Sequence, residues 1–121
     1  MISKYLICCL AQTGLMIAVH SDYGRFITLF EVFDKLAECI WNRANKTFKS
    51  PLAVRSYSNA KMGHDYEENF YILLHSYCPA VLIENFFMDN HEDYDYLRTN
   101  KAMATCAEVA VAGIKDYLKT R

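Results

Sequence analysis

The sequence predicts an α/β fold in which a sheet is sandwiched by helices. The short apolar run over 79–84 has the composition of a strand, and two longer stretches, 34–47 and 100–119, carry their apolar residues at helical spacing. A strand between amphipathic helices is typical of α/β architecture. With 121 residues, 53% of them hydrophobic, the chain is predicted to form one domain, 1–121, with a packed core.

The first 25 residues contain an interrupted apolar stretch and then a turn. Lys4 precedes an apolar run that Gln12, Thr13 and Gly14 interrupt, so the stretch is too broken to span a membrane. It is predicted to be a core strand or helix. The alternative is a weak signal peptide, although no convincing small-residue cleavage motif follows. The segment HSDYGR that comes next has the composition of a turn.

The middle of the chain changes its hydrophobic period. The segment FITLFEVF, 26–33, is rich in strand-forming residues and predicts a strand. A helix is predicted over 34–47, with Asp34 near its positively polarised start. An extended piece and a loop are expected over 49–65, and Asp65 with Glu68 forms a start for the next helix that resembles a capping box. The apolar side of that helix carries Tyr66, Phe70, Leu73 and Leu74.

The last third of the chain predicts a strand and two helices. The run 79–84 is continuous and apolar, which suits a central strand covered on both faces. Asn90, followed by Glu92 and Asp93, is placed to cap a short helix through Leu97. A final helix over about 100–119 has many small residues and can lie close against a sheet. Its predicted apolar face consists of Met103, Cys106, Ala107, Ala110, Ile114, Tyr117 and Leu118.

Charge and cysteine content argue against several classes of protein. The net charge is −1 and no basic patch dominates, so neither nucleic acid nor a membrane is an expected partner. The five cysteines have no regular spacing and include no C-x-x-C pair, which argues against a disulfide framework and a zinc knuckle. Most of them are expected to be small buried hydrophobic residues in a reducing compartment.

Glu84 is the candidate catalytic residue because it ends an apolar strand. Sites in open α/β sheets lie beyond the carboxyl ends of the strands. Partial desolvation raises the pKa of a carboxyl group toward values useful to a general acid or base. The pattern alone leaves a second interpretation open, in which this acid caps a neighbouring helix or pairs with an arginine.

The segment CPAVLIENFFMDNHEDYDYLRTNKAMATCAEVAVAGIKDYL resembles the C-terminal part of zinc-dependent N-acetylmuramoyl-L-alanine amidases of the amidase-3 type, which have a phosphorylase/hydrolase-like fold. The likeness extends over roughly 34–118 and includes DKLAECIW and DYEENFYILLHSYCPAVL. It implies hydrolysis of the amide between the lactyl group of N-acetylmuramic acid and L-alanine in peptidoglycan, with zinc as cofactor. By motif position, Glu84 matches the glutamate that moves a proton from the zinc-bound water to the leaving amine.

The zinc ligands that this resemblance implies are poorly represented. The sequence has no Gly-His-Gly loop, and His20, in IAVHSD, is the single candidate for the family's last histidine ligand. His64 and His75 lack the i, i+4 spacing of helical metal pairs, and His91 is expected at an exposed helix start. Because a catalytic zinc normally needs three protein ligands, the chain is predicted to be an N-terminally truncated amidase domain whose activity by itself is in doubt.

Two functions therefore remain open at the level of the sequence. The first is amidase chemistry at Glu84 on peptidoglycan or muropeptide. The second is a non-catalytic module that binds the cell wall or a partner chain. Either form is expected to associate with a second copy if the strand ending at Glu84 is an exposed sheet edge, and to be cytoplasmic until lysis or secreted to the cell wall. The groove that would bind the ligand is predicted to contain Phe70, Tyr71, Asn85, Phe86 and Phe87.

Overall fold

The computed structural model describes residues 16–19, 27–55, 66–67, 71–74 and 78–121. Both strands and helices are present, in agreement with the predicted class. None of the helices in these ranges is long and apolar enough to cross a membrane. In chain order the elements are β1 (Met16–Val19), α1 (Ile27–Thr47), β2 (Tyr66–Glu67), α2 (Tyr71–Leu74), β3 (Leu82–Glu84), α3 (His91–Leu97) and α4 (Asn100–Leu118).

The described strands form one three-stranded sheet in the order β2–β1–β3. β2 runs parallel to β1 and pairs Tyr66 with Ala18, whereas β3 runs antiparallel to β1 and pairs Glu84 with Met16. Within the described part of the chain β3 thus lies at an edge, where the sequence predicted a central strand, and its residues are half-buried. Pairing of this edge with a second copy and the helix layers on both sheet faces stay predictions.

α1 is longer than the sequence predicted. It begins at Ile27, so the strand predicted over 26–33 is wrong. Asp34 lies about two turns inside the helix and is buried, so its placement at the polarised start is wrong as well. In the sequence, the apolar spacing of 37, 40 and 44 continues backward to 33 and 30. A helical stripe of this length outweighs the local strand propensity of the earlier segment.

The helix that was predicted to open at Asp65 is replaced by a strand. Tyr66 and Glu67 form β2 beside β1, and among the described residues α2 comprises Tyr71–Leu74. Pairing with β1 satisfies backbone groups that a first helical turn would leave without partners, and this outweighs the local capping signal. Leu73, which was predicted on the apolar side, is 2% exposed.

The core is organised around the contact between α1 and α4. A Cβ atom added at Gly113 would lie 2.6 Å from the Cα atom of Ile40, so glycine lets the two backbones touch. Arg43, three residues after Ile40, pairs with Asp116, three residues after Gly113. The two helices therefore run side by side in the same direction. The buried cluster that they share with their neighbours consists of Leu36, Ala37, Ile40, Trp41, Ala44, Phe48, Val54, Phe86, Val109 and Tyr117.

α4 has nearly its predicted bounds but buries a different face. Its buried residues are Ala102, Val109, Gly113 and Tyr117. Of the predicted face only Tyr117 is buried, since Met103 is 83% and Leu118 56% exposed. Cys106 and Ala110 are half-buried, and Ala107 and Ile114 are exposed. The physical reason is the close approach to Ile40, which turns Gly113 toward α1 together with Val109 and Tyr117, one helical turn before and after it.

Most cysteines were predicted to be buried, but none of the three that the structure describes is fully buried. Cys39 and Cys106 are half-buried free thiols. Burial raises the pKa of both thiols, and the nearby Asp116 carboxylate raises that of Cys39 further. A thiol whose pKa is raised is less nucleophilic at neutral pH, so neither is favoured as a reactive group. Cys78 is exposed, and Cys8 and Cys9 lie outside the described residues.

Asp116 links α4 to α1 through an ion pair with Arg43. Lys119 Nζ approaches the other carboxylate oxygen at 3.4 Å. The hydrogen bond from Arg43 lowers the pKa of Asp116 from 3.8 to about 2. The pair is partly exposed, so solvent and salt screen it, and it orients the helices more than it stabilises them.

We expect Gly113→Ala to lower the free energy of unfolding by about 1–2 kcal/mol, because the new methyl group meets the Ile40 backbone. Helix propensity acts in the opposite direction by about 1 kcal/mol. Urea denaturation measures the net effect. Ala104→Gly, at an exposed position of the same helix, is the reverse exchange and should cost only about 1 kcal/mol. A gain in stability for Gly113→Ala would contradict backbone contact between the helices.

We expect Asp116→Asn to lower the free energy of unfolding at about pH 6 and to have a much smaller effect near pH 2. The folded-state pKa of Asp116 is depressed, so its stabilising contribution is present above its ordinary value of 3.8 and is lost as the pH falls toward 2. Urea denaturation at both pH values tests this. In an Arg43→Gln background the substitution should have little effect at either pH. A loss of equal size at both pH values in the wild-type background would argue against the ion pair.

Candidate active site

Glu84 is the last residue of β3, as the sequence predicted. Its side chain is half-buried, and burial raises the pKa of its carboxyl group above the ordinary value of 4.5. The cause is the one expected from its position, since a carboxylate at the end of an apolar strand loses part of its hydration. The strand end thus carries an acid that exchanges its proton closer to neutral pH than an exposed glutamate does.

The chain turns sharply after Glu84. The Phe86 amide donates a hydrogen bond to the Glu84 carbonyl at 3.2 Å, and Phe86 has a φ of 67°. A bulky residue rarely adopts this left-handed conformation, so surrounding contacts must stabilise it. The Phe86 ring packs edge to face against the rings of Phe48 and Tyr96. The centroid of each of these rings lies 5.1 Å from the centroid of the Phe86 ring. Core packing of one ring therefore fixes the direction in which the chain leaves β3.

A set of hydrogen bonds closes the turn onto α3. The Asn90 side chain accepts from the Asp93 amide at 3.1 Å, which confirms its predicted role as helix cap. The Asn90 amide donates to the Phe87 carbonyl at 3.0 Å. The Asp93 carboxylate is fully buried and accepts from the Phe87 amide at 2.9 Å. Both backbone polar groups of Phe87 are therefore bonded to the start of α3.

Sequence reasoning missed the part that Asp93 plays in this turn. It assigned the residue only a favourable position in the first turn of α3. In the structure, the Asp93 carboxylate accepts a hydrogen bond from a backbone amide of the preceding turn. The available signal was an acid three residues after an Asn cap. The expected role there is interaction with the helix dipole, which does not require burial.

The predicted groove residues occupy different environments. Phe86 and Phe87 are 7% and 4% exposed and lie in the core, with the Arg55 guanidinium 5.4 Å from the centroid of the Phe87 ring. Tyr71 is 77% exposed and Asn85 is exposed, while Phe70 lies outside the described residues. The structure does not gather these five side chains into one surface among the residues it describes. A ligand contact by any of them stays a prediction.

A shallow apolar groove of about 450 Å³ lies between β3 and α4. Ile83 and Asn85 contribute to it from the strand side, and Glu84 does not. Alternation of side chains along β3 directs Glu84 to the opposite face from Ile83, and Asn85 lies just beyond the end of the strand. The α3 and α4 residues that line the groove are Leu97, Ala102, Met103, Cys106, Ala107 and Ala110.

The described residues contain no group of three His, Cys, Asp or Glu side chains that could bind a metal ion. His91 lies at the exposed start of α3, as predicted, and its Nδ1 atom is 3.4 Å from Asp95. The candidate ligand His20 lies outside the described residues, as do His64 and His75. The fit of zinc to this chain therefore rests on histidines that the structure does not describe.

The register of β1 places the last residue of that strand away from Glu84. Met16 pairs with Glu84, and β1 ends at Val19. At about 3.4 Å per residue, Val19 lies roughly 10 Å along the strand from the pairing position of Glu84. A ligand role for His20 stays a prediction.

Comparison with known proteins connects this geometry to a family. A family model described as N-acetylmuramoyl-L-alanine amidase (Amidase_3) matches residues 30–116, which include β3, the turn and most of α4. No curated protein gives a significant sequence match to the chain.

Solved amidases share the fold. The CwlD amidase of Clostridioides difficile, in complex with the GerS lipoprotein, superposes with a TM-score of 0.65 at 17% identity, covering 93% of this chain and 49% of its own. An N-acetylmuramoyl-L-alanine amidase of Clostridium difficile 630 gives 0.67 at 20% identity, covering 92% and 51%. The chain therefore spans about half the length of these two proteins. With the family match extending over most of its residues, the protein belongs to the N-acetylmuramoyl-L-alanine amidase family Amidase_3.

Proposed function

We propose that this chain carries the proton-transfer part of a peptidoglycan amidase, with Glu84 as the catalytic acid and base. The observation that carries the proposal is the half-buried carboxyl group at the end of β3, whose pKa is raised by burial. Glu84 lies within the segment that matches the amidase family. Membership of the family supports the substrate class, the amide between N-acetylmuramic acid and L-alanine in peptidoglycan or a muropeptide.

The reaction requires one group that both accepts and donates a proton. Water adds to the carbonyl carbon of the lactyl group, the C–N bond breaks, and the products are the muramic acid carboxylate and the free amine of L-alanine. Ionised Glu84 takes a proton from the attacking water, and the protonated acid passes it to the departing nitrogen. The carboxyl group therefore returns to its initial state. A raised pKa favours this cycle because it makes the carboxylate a stronger base and brings its two protonation states closer in free energy than in an exposed glutamate.

Zinc is the cofactor that the family resemblance suggests, and a bound zinc would polarise the carbonyl and activate the water. The described residues do not supply three ligands for it. His20 is proposed as one ligand because IAVHSD resembles the family's last histidine motif, with the others contributed from outside the described part of the chain. The proton transfers assigned to Glu84 depend on its own position and pKa.

We expect Glu84→Gln to reduce amine release from a muropeptide by about 10²–10⁴-fold, the usual contribution of a general acid or base. The assay incubates purified protein and zinc with N-acetylmuramoyl peptide and quantifies the free amino group of L-alanine. Asp89→Asn is the matched control, because Asp89 is an exposed acid in the same turn. It should leave the rate within about twofold, since it is not placed to transfer the proton.

Retention of the wild-type rate by Glu84→Gln would exclude the proton-transfer role. If the wild-type chain releases no amine but binds the muropeptide in a titration, the non-catalytic binding module becomes the better description. Measuring both quantities on the same preparation separates these results.

We expect Glu84→Gln to raise the free energy of unfolding at about pH 7 and to have a smaller effect near pH 3. The folded-state pKa of Glu84 is raised above 4.5, so the folded state resists its ionisation. Stability is therefore greatest below the unfolded-state pKa and declines as the pH rises through the folded-state value. Urea denaturation at the two pH values gives the difference. An effect that does not grow with pH would show that the carboxyl group is well hydrated.

A further inference from the structure

Among the described residues two charged side chains are buried, Asp34 inside α1 and Asp93 at the start of α3, and Asp93 is 0% exposed. Burial of a carboxylate is costly unless hydrogen bonds compensate it. The Asn90 side chain already caps α3, so helix capping alone does not account for a second acceptor at this helix start. Instead, the Asp93 Oδ2 atom accepts a hydrogen bond from the backbone amide of Phe87, six residues earlier.

Phe87 is three residues from Glu84, and the backbone between them is fixed at both ends. At one end the Glu84 carbonyl accepts from the Phe86 amide at 3.2 Å. At the other end the Phe87 amide donates to Asp93 at 2.9 Å, and its carbonyl accepts from Asn90 at 3.0 Å. Phe86, between these points, has its backbone in the left-handed region and its ring in the core. The end of β3 is therefore held to α3 and has little freedom to move independently of it.

We propose that Asp93 is a positioning residue for Glu84: its hydrogen bond to the Phe87 amide fixes the turn that aims the Glu84 carboxyl group at the substrate. The proposal rests on the catalytic role of Glu84 proposed above. Asp93 itself does not touch the substrate, because its side chain is fully buried. It acts by holding the end of β3 in a fixed position relative to the core, in which the Glu84 side chain is half-buried.

A purely structural role makes a different prediction. If Asp93 only stabilised α3, its loss would lower the free energy of unfolding. The surroundings of Glu84 would then change no more than in any other variant that is destabilised by the same amount. A positioning role predicts a specific change at Glu84, because release of the turn lets water reach the carboxyl group. Gly113→Ala supplies the comparison, since it destabilises the α1–α4 contact, which does not include Glu84.

The test follows the full chain by NMR in three variants: Asp93→Ala, Asp93→Asn and Gly113→Ala. The readouts are hydrogen exchange of the Phe87 amide and the titration midpoint of the Glu84 carboxyl carbon. Asp93→Ala should lose the protection of the Phe87 amide and move the Glu84 midpoint down toward that of an exposed glutamate. Asp93→Asn retains an oxygen acceptor of similar shape and should rescue both readouts. Gly113→Ala should change neither. If Asp93→Ala does not fold, Asp93→Ser replaces it, because its hydroxyl is too short to reach the same amide.

An unchanged Glu84 midpoint in a folded Asp93→Ala or Asp93→Ser variant would overturn the proposal, and so would an equal shift in Gly113→Ala. Where the wild-type chain releases amine, Asp93→Ala should lower kcat by about 10²-fold with KM within about twofold, as expected for a displaced catalytic group. Failure of Glu84→Gln to reduce release removes the proposed function, whereas the titration still decides whether Asp93 positions the turn. The two failures are therefore distinguishable.

Discussion

The contact between Gly113 and the backbone of Ile40 determines how the described part of the molecule packs. Because Gly113 has no side chain, α1 and α4 approach more closely at this point than a larger residue would permit. The approach fixes the rotation of α4 and brings Val109 and Tyr117 into the same cluster as Leu36 and Trp41. Phe86 belongs to that cluster as well. The turn that follows Glu84 therefore packs against this cluster through the Phe86 ring.

The candidate site combines a fixed backbone with a partly dehydrated acid. Core packing of Phe86 stabilises an uncommon backbone conformation, and the buried Asp93 carboxylate bonds the next amide. These contacts place Glu84 where water reaches its carboxyl group only in part, which raises its pKa. Preorganisation and pKa adjustment therefore have a common structural origin in this turn, since the same contacts fix the chain and set the exposure of the acid.

Local signals in the sequence predicted the C-terminal third well. Asn90 caps α3 as expected, and α4 ends within one residue of its predicted bound, because capping and helical periodicity are properties of neighbouring residues. The same reasoning failed where distant contacts decide. The segment 26–33 has strand-forming residues but continues a helix, and Tyr66 pairs with β1 instead of opening one.

In the candidate site, too, features set by neighbouring residues were predicted and features set by distant contacts were not. The position of Glu84 at the end of a strand and the direction of its pKa shift follow from the apolar residues before it. The buried face of α4 and the bond between Asp93 and Phe87 do not, because each depends on how separate segments meet. Spacing along α4 defines several apolar stripes of similar strength, and only contact with Ile40 selects among them.

The alternation of side chains along β3 has an evolutionary consequence. Ile83 lies on the opposite face of β3 from Glu84, and Asn85 follows the strand. Of these three residues only Ile83 and Asn85 border the groove against α4. Substitutions that reshape the groove can therefore accumulate without altering the surroundings of the acid. A lineage could in this way change what it recognises on one side of the strand while the chemistry on the other side stays under separate selection.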